Sequence, residues 1–169
     1  MELKTLDDVL EAELKDLYSA EKQLVEALPD IAEAASSDKL KDAVNEHLEE
    51  TRGHVRRLEQ VFEAIGVKPQ AEHCDGMEGL ISEGSEVAEM KGDGDARDAA
   101  LIGAAQRVEH YEIAAYGTVR TLAEQLDYTD ARRMFDDTLD EEASADRRLT
   151  KLATGGRLSS GINERAAPR

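Results

Sequence analysis

Residues 40–65, LKDAVNEHLEETRGHVRRLEQVFEAI, carry a single stripe with helical spacing. The stripe reads Leu40, Val44, His47, Thr51, His54, Leu58, Val61 and Ile65, stepping by threes and fours. Its ends are apolar and its middle is polar. A helix of this kind buries its stripe against other helices, and imidazoles at mid-stripe then need partners inside.

The flanking sequence supplies those helices. Upstream, Leu10, Leu14, Leu17, Leu24, Leu28 and Ile31 mark a first helix that starts near Thr5 or Asp7. Pro29 is expected to kink or interrupt it. Ser36-Ser37-Asp38 provides a break and an N-cap for the helix that follows. That second helix ends at Gly66, with Pro69 beyond. Residues 67–98 contain a loop, VKPQAEHCDG, a short amphipathic helix within MEGLISEGSEVAEMK, and a linker, GDGDARD, whose Asp95 or a near neighbour caps what comes next. A third long helix spans roughly 96–127 on Ile102, Ala105, Glu109, Glu112, Tyr116, Val119, Ala123 and Leu126. After a turn around Asp127–Asp130, a fourth follows on Ala131, Phe135, Leu139, Glu142, Asp146, Leu149 and Ala153. The end, TGGRLSSGINERAAPR, lacks sustained periodicity. The expected organisation is one domain over 1–154 and a frayed tail over 155–169.

Tight turns make antiparallel hairpins of the first pair and the last pair. About 30 residues join the pairs, and each long helix is ~40 Å at 1.5 Å per residue. Two hairpins and one long crossover containing a short fifth helix give an all-α, ferritin-like four-helix bundle.

Composition agrees. The chain has 169 residues, 4% aromatic residues and no Trp, so Leu, Ala, Val and Ile build the core. Thirty-eight acidic against 21 basic residues leave a net charge of −17, which makes nucleic acid and anionic membranes poor partners. No apolar run approaches the ~20 residues that span a bilayer, and the N-terminus lacks a signal peptide's features, so a cytoplasmic location is expected. The single Cys74 excludes an intramolecular disulfide and a multi-cysteine zinc site. His73-Cys74 in the crossover reads as local packing.

The residues that break the apolar stripes carry the chemistry. Glu21 interrupts the first helix, His47, Thr51 and His54 the second with Glu50 beside them, Glu109 and Glu112 the third, Glu142 and Asp146 the fourth. Glu21 precedes the first turn by about 15 residues, and Glu50 to His54 follow it by about 14 to 17. Similar counts flank the second turn. In antiparallel hairpins equal counts mean equal heights, so the polar positions meet at one level. Carboxylates gathered in an apolar interior cannot all stay ionised without compensation. No Lys or Arg occupies the stripes at that height, and two divalent cations are the simplest source of positive charge. Oxygen ligands with one or two imidazoles suit iron or manganese. The expected ligands are Glu21, Glu50, His54, Glu109, Glu112, Glu142 and Asp146, with Glu50 and Glu142 bridging. His47 is either a ligand or a neighbouring polar residue. Tyr111 and Tyr116 read as hydrogen-bonded core residues.

The strings LYSAEKQLVEALP, HLEETRGHVRRLEQVF, AAQRVEHYEIAAYGTVRTLAEQL and EEASADRRLTKLA resemble the YciE/YciF-type ferritin-like family of stress-associated bacterial and archaeal proteins. The likeness runs in order from about residue 5 to 154. It implies a ferritin-like bundle, a homodimer, a dinuclear metal site and no assigned reaction. More distantly the chain is similar to rubrerythrin-type di-iron bundles, whose Glu-x-x-Glu pattern matches Glu109 and Glu112 and whose lone first-helix Glu matches Glu21. Such bundles carry Glu-x-x-His on two helices. Here the corresponding pairs are Glu50 with His54 and Glu142 with Asp146, both spaced by four. Asp146 in place of a second His makes the expected site harder and more anionic, leaving manganese or a weakly redox-active iron pair open. Three functions remain: a dinuclear metalloprotein of stress defence acting on metal or a small oxidant such as peroxide, a non-enzymatic metal-stabilised bundle, and a metal-free scaffold with mutually hydrogen-bonded carboxyls.

Overall fold

A computed structural model describes residues 2–156 and 159–168. Four long helices dominate: α1 (Leu6–Ala34), α2 (Asp38–Ala64), α4 (Gly94–Gln125) and α5 (Thr129–Thr154). The crossover contains α3 (Asp75–Glu89). Around the bundle, α1 packs on α2 and α4, and α5 packs on α2 and α4, while α3 lies across α1 and α4. This is the ferritin-like bundle that the stripes predict.

Local chemistry sets the boundaries. Thr5 and Asp8 form a reciprocal capping box at the start of α1. Asp93 caps α4 by accepting from the Ala96 N–H, where Asp95 or a neighbour was expected. At the break before α2 the side chain of Ser37 makes no capping bond. The carboxylate of Asp98 reaches across from α4 instead, accepting from the Ser36 N–H at 2.8 Å and the Ser37 N–H at 2.7 Å. Asp98 is wholly buried. Pro29 does not break α1, which continues to Ala34. The proline is exposed, so water can satisfy the carbonyl that its ring leaves unpaired.

The C-terminal segment departs from expectation. Its described residues fold back as a two-residue ladder, β1 (Gly155–Gly156) with β2 (Ser159–Ser160), followed by α6 (Ile162–Ala166) against α4 and α5. Ile162 is buried, and the Arg165 guanidinium pairs with Asp95 at 2.7 Å. Gly155 adopts φ 74°, and a Cβ at Gly161 would collide with the Ala153 carbonyl, so glycine is required at both. A segment this short carries no helical period to read.

The apolar interior falls into two clusters. One holds Leu10, Leu14, Leu17, Phe62, Val119 and Phe135, where α1 starts and α4 ends. The other holds Leu24, Leu28, Leu40, Val44, Ile102 and Leu149, and it also takes in Ile162. The polar stripe positions lie between them. No helix among the described residues is long and apolar enough to cross a membrane.

Candidate metal centre

Glu21, His54, Glu112 and Glu142 are completely buried, while His47 and Glu109 are buried to within a few per cent. Ligand-capable atoms of His47, Glu109, Glu112 and Glu142 lie within 4.8 Å of one another, and those of Glu21, His54 and Glu142 do the same. Glu142 belongs to both groups. The layer therefore holds two adjoining groups that share one carboxylate, one of the two residues expected to bridge. His54 Nδ1 stands 3.0 Å from Glu142 Oε1 and 3.4 Å from Glu21 Oε1. His47 Nε2 stands 3.5 Å from Glu109 Oε1.

Two expected residues stand apart. Glu50 is only half-buried and turns to Arg148 at 2.5 Å, with His47 Nδ1 at 3.7 Å. Asp146 is likewise half-buried, accepting from Gln106 Nε2 at 2.8 Å. Neither joins the two buried groups, so Glu50 is not the second shared carboxylate. The reason is helical phase. The inward positions at these heights are Thr51 and Ala145, both buried, and each expected ligand is the next residue round. His47, left open by the sequence, lies inside.

The surrounding residues orient the cluster. His54 Nε2 meets Glu141 Oε2 at 2.9 Å, leaving Nδ1 facing the cluster. Arg57 holds Glu141 through Nη1 at 2.8 Å and Nη2 at 3.3 Å, and donates to Thr138 at 2.7 Å. An imidazole whose outer nitrogen is fixed by a carboxylate has the arrangement typical of metal-ligating histidines. The Tyr116 hydroxyl donates to Glu21 Oε1. Thr51 donates to the His47 carbonyl at 2.8 Å. Tyr111 points elsewhere, donating to Asp16 at 3.0 Å beside the buried Cys74. His73 is exposed and pairs with Glu78 on the surface.

Residues 5–167 match the family described as a domain of unknown function, DUF892. The chain belongs to the DUF892 family. It is 51% identical over 154 residues to Protein YciF of Escherichia coli K12, which covers 90% of this chain and 93% of YciF. The crystal structure of the E. coli stress protein YciF matches with a TM-score of 0.86 over 89% of this chain and 95% of that one. YcfI of Rhodopseudomonas palustris matches with a TM-score of 0.87 and 41% identity, over 90% of this chain and 97% of that one.

Electrostatics in this DUF892 layer follow from burial. Burial pushes the Glu109 carboxyl up to about 8, with the Glu142 charge adding to it and His47 opposing. Burial, Glu142 and Glu21 raise Glu112 well above the usual carboxyl range. Burial disfavours charge on His47, but the nearby Glu50 carboxylate and the charges of Glu109, Glu142 and Glu21 override it, bringing the imidazole up to about 9. The same contest at His54, against Glu142 and Glu21, ends at about 11. Burial works against ionisation at Glu50, but His47 and Arg148 hold it down at about 2. Without metal, protons supply the layer's positive charge.

Glu141 and Arg57 escaped the sequence reading because they lie off the stripe. The signal available was Arg57 on one helix facing an acidic pair, Glu141-Glu142, on another.

Proposed function

We propose that this chain is a dinuclear metal-binding bundle of the stress response, loaded with iron or manganese. One observation carries the reading. Glu21 Oε2, Glu109 Oε2, Glu142 Oε2 and both oxygens of Glu112 are buried without hydrogen-bond partners. Each such atom costs about 1–3 kcal/mol, so a fold that concentrates them at one level is built for something that satisfies them together. In a metal-free scaffold, protons on Glu109 and Glu112 would pair them with Glu142 and Glu21, and metal analysis separates that reading from this one.

The donors fit the ions. Glu21, His47, His54, Glu109, Glu112 and Glu142 make four carboxylates and two imidazoles, the composition of carboxylate-bridged di-iron and di-manganese bundles. With Asp146 turned outward, the case for an unusually hard site weakens and iron stands level with manganese. Bound ions of this kind supply Lewis acidity and one-electron chemistry. The stress role rests on the likeness to the E. coli stress protein YciF. We further propose a cytoplasmic homodimer that binds neither nucleic acid nor membrane, in keeping with the charge of −17. A second apolar line flanks the stripe on two helices: Leu48, Val55 and Phe62 on α2, and Leu101, Val108, Ala115 and Leu122 on α4. Leu48, Phe62, Leu101 and Val108 from that line are buried within the protomer, so the dimer rests on the family resemblance. Light scattering at micromolar concentration checks it, and a monomer mass overturns it.

The deciding experiment is metal analysis of the purified protein, with melting before and after chelation. Stoichiometric metal, a lower Tm on chelation and recovery with iron(II) or manganese are expected. Metal-free protein whose melting ignores both chelator and metal overturns the reading in favour of the scaffold.

A further inference from the structure

A partly open cavity of about 60 Å³ lies beside the polar layer, lined by residues of α1, α2, α3, α4 and α5. It exists because small residues converge there: Ala27, Ala43, Gly84, Ala104, Ala105 and Ala145. Leu24, Val44, Ile81 and Val108 complete an almost wholly apolar wall. One edge is different. His47 and Glu109, both members of the candidate metal cluster, line the cavity there together with Arg148. His47 is more than nine-tenths buried and neither of its ring nitrogens has a hydrogen-bond partner.

Size and polarity limit the occupant. An apolar cavity of about 150 Å³ stays dry and takes up benzene or xenon. The space here is less than half that, too small for a ring and large enough for a diatomic molecule. Water or hydrogen peroxide lying against the apolar wall would leave hydrogen bonds unmade, with partners only at the edge formed by His47, Glu109 and Arg148. An uncharged apolar molecule loses nothing by entering. We propose that the cavity binds dioxygen-sized apolar molecules and presents dioxygen to the His47–Glu109 edge of the cluster. The choice of dioxygen rests on the metal reading, whereas the cavity's preference for small apolar molecules does not.

The test has two arms. In the first, metal-stripped, methyl-labelled protein is placed under xenon pressure and followed by NMR. Saturable shifts are expected at methyls of Leu24, Val44, Ile81 and Val108, and Gly84→Leu should remove most of them by filling the space. Should that variant fail to fold, Gly84→Ala serves. Its added Cβ would meet Ile31 Cδ1 at 3.8 Å and the Ala104 Cβ at 3.9 Å, ordinary contacts, and should weaken xenon binding without displacing a neighbour. Absence of saturable shifts in the wild type overturns the cavity as a binding site. In the second arm, oxygen consumption by iron(II)-loaded protein should fall severalfold in Gly84→Leu at unchanged metal content. No uptake by the loaded wild type, or uptake indifferent to filling, overturns dioxygen as the occupant. A chain that takes up no metal fails the proposed function, while the xenon arm still decides the cavity.

Discussion

A carboxyl group with both oxygens buried and unpaired, as in Glu112, weakens the fold that carries it. Glu112→Leu removes that burden at similar volume. It should stabilise the metal-stripped protein by about 1–3 kcal/mol while abolishing the gain in Tm on metal addition, measured by urea unfolding and thermal melts. Glu141 offers the opposite case. It touches no part of the cluster except His54 Nε2, so Glu141→Ala should lower metal affinity by about 10–100-fold and leave the helical spectrum intact. Glu141→Gln keeps an acceptor for the imidazole and should recover much of the loss in the same titration. His47→Ala, which would matter little were the ring outside the cluster, should now weaken binding together with Glu109→Ala. Most of these residues were legible from the stripes, because a polar side chain at an inward position announces itself by type. Glu50 was misplaced although the stripe already ran through Thr51, because its spacing of four from His54 matched a ligand pair. Asp146 was misplaced because residues one step apart on a helix differ by about 100°, and pattern alone did not separate it from Ala145.

Long helices declare their faces by repetition, which is why four helices, their hairpin turns and the crossover could be read before the structure. What could not be read were the joints, each of which depends on one or two distant contacts. Asp98 is the leading case: it serves the start of α2 from another helix, 61 and 62 residues away in sequence. Asp98→Ala would remove the acceptor of two part-buried amides and should cost about 1–3 kcal/mol in urea unfolding, with the Ser36 and Ser37 amides losing protection from hydrogen exchange. The C-terminal α6 is another. It is held by Ile162 in the apolar cluster and by the Arg165–Asp95 pair, features too sparse to form a pattern. Ile162→Ala should destabilise the whole bundle by about 2–4 kcal/mol in the same measurement, an effect that a frayed tail could not produce.

For the molecule as a whole, metal-free stability should depend on pH with a definite sign. Glu109 keeps its proton up to about 8 in the fold against an ordinary 4.5, and His47 and His54 keep theirs up to about 9 and 11 against 6.5. Between about pH 4.5 and 9 the folded chain therefore holds more protons than the unfolded chain, so its stability falls as pH rises. Metal-stripped protein should melt higher at pH 5.5 than at pH 8. Metal-loaded protein should melt lower at pH 5.5, because protons displace the ions. A metal-stripped Tm that rises with pH would contradict the assignment. The division of the apolar core into two clusters, with the polar layer between them, has a kinetic counterpart. Helices ordinarily fray from their ends, yet here the ends are anchored in greasy packing and the waist is where the empty molecule is least cohesive. Hydrogen exchange in the metal-free form should accordingly be fastest at mid-helix, around His54 and Glu112, and slow on loading. Ion uptake would then act as the clasp that converts two independently breathing halves into one rigid rod.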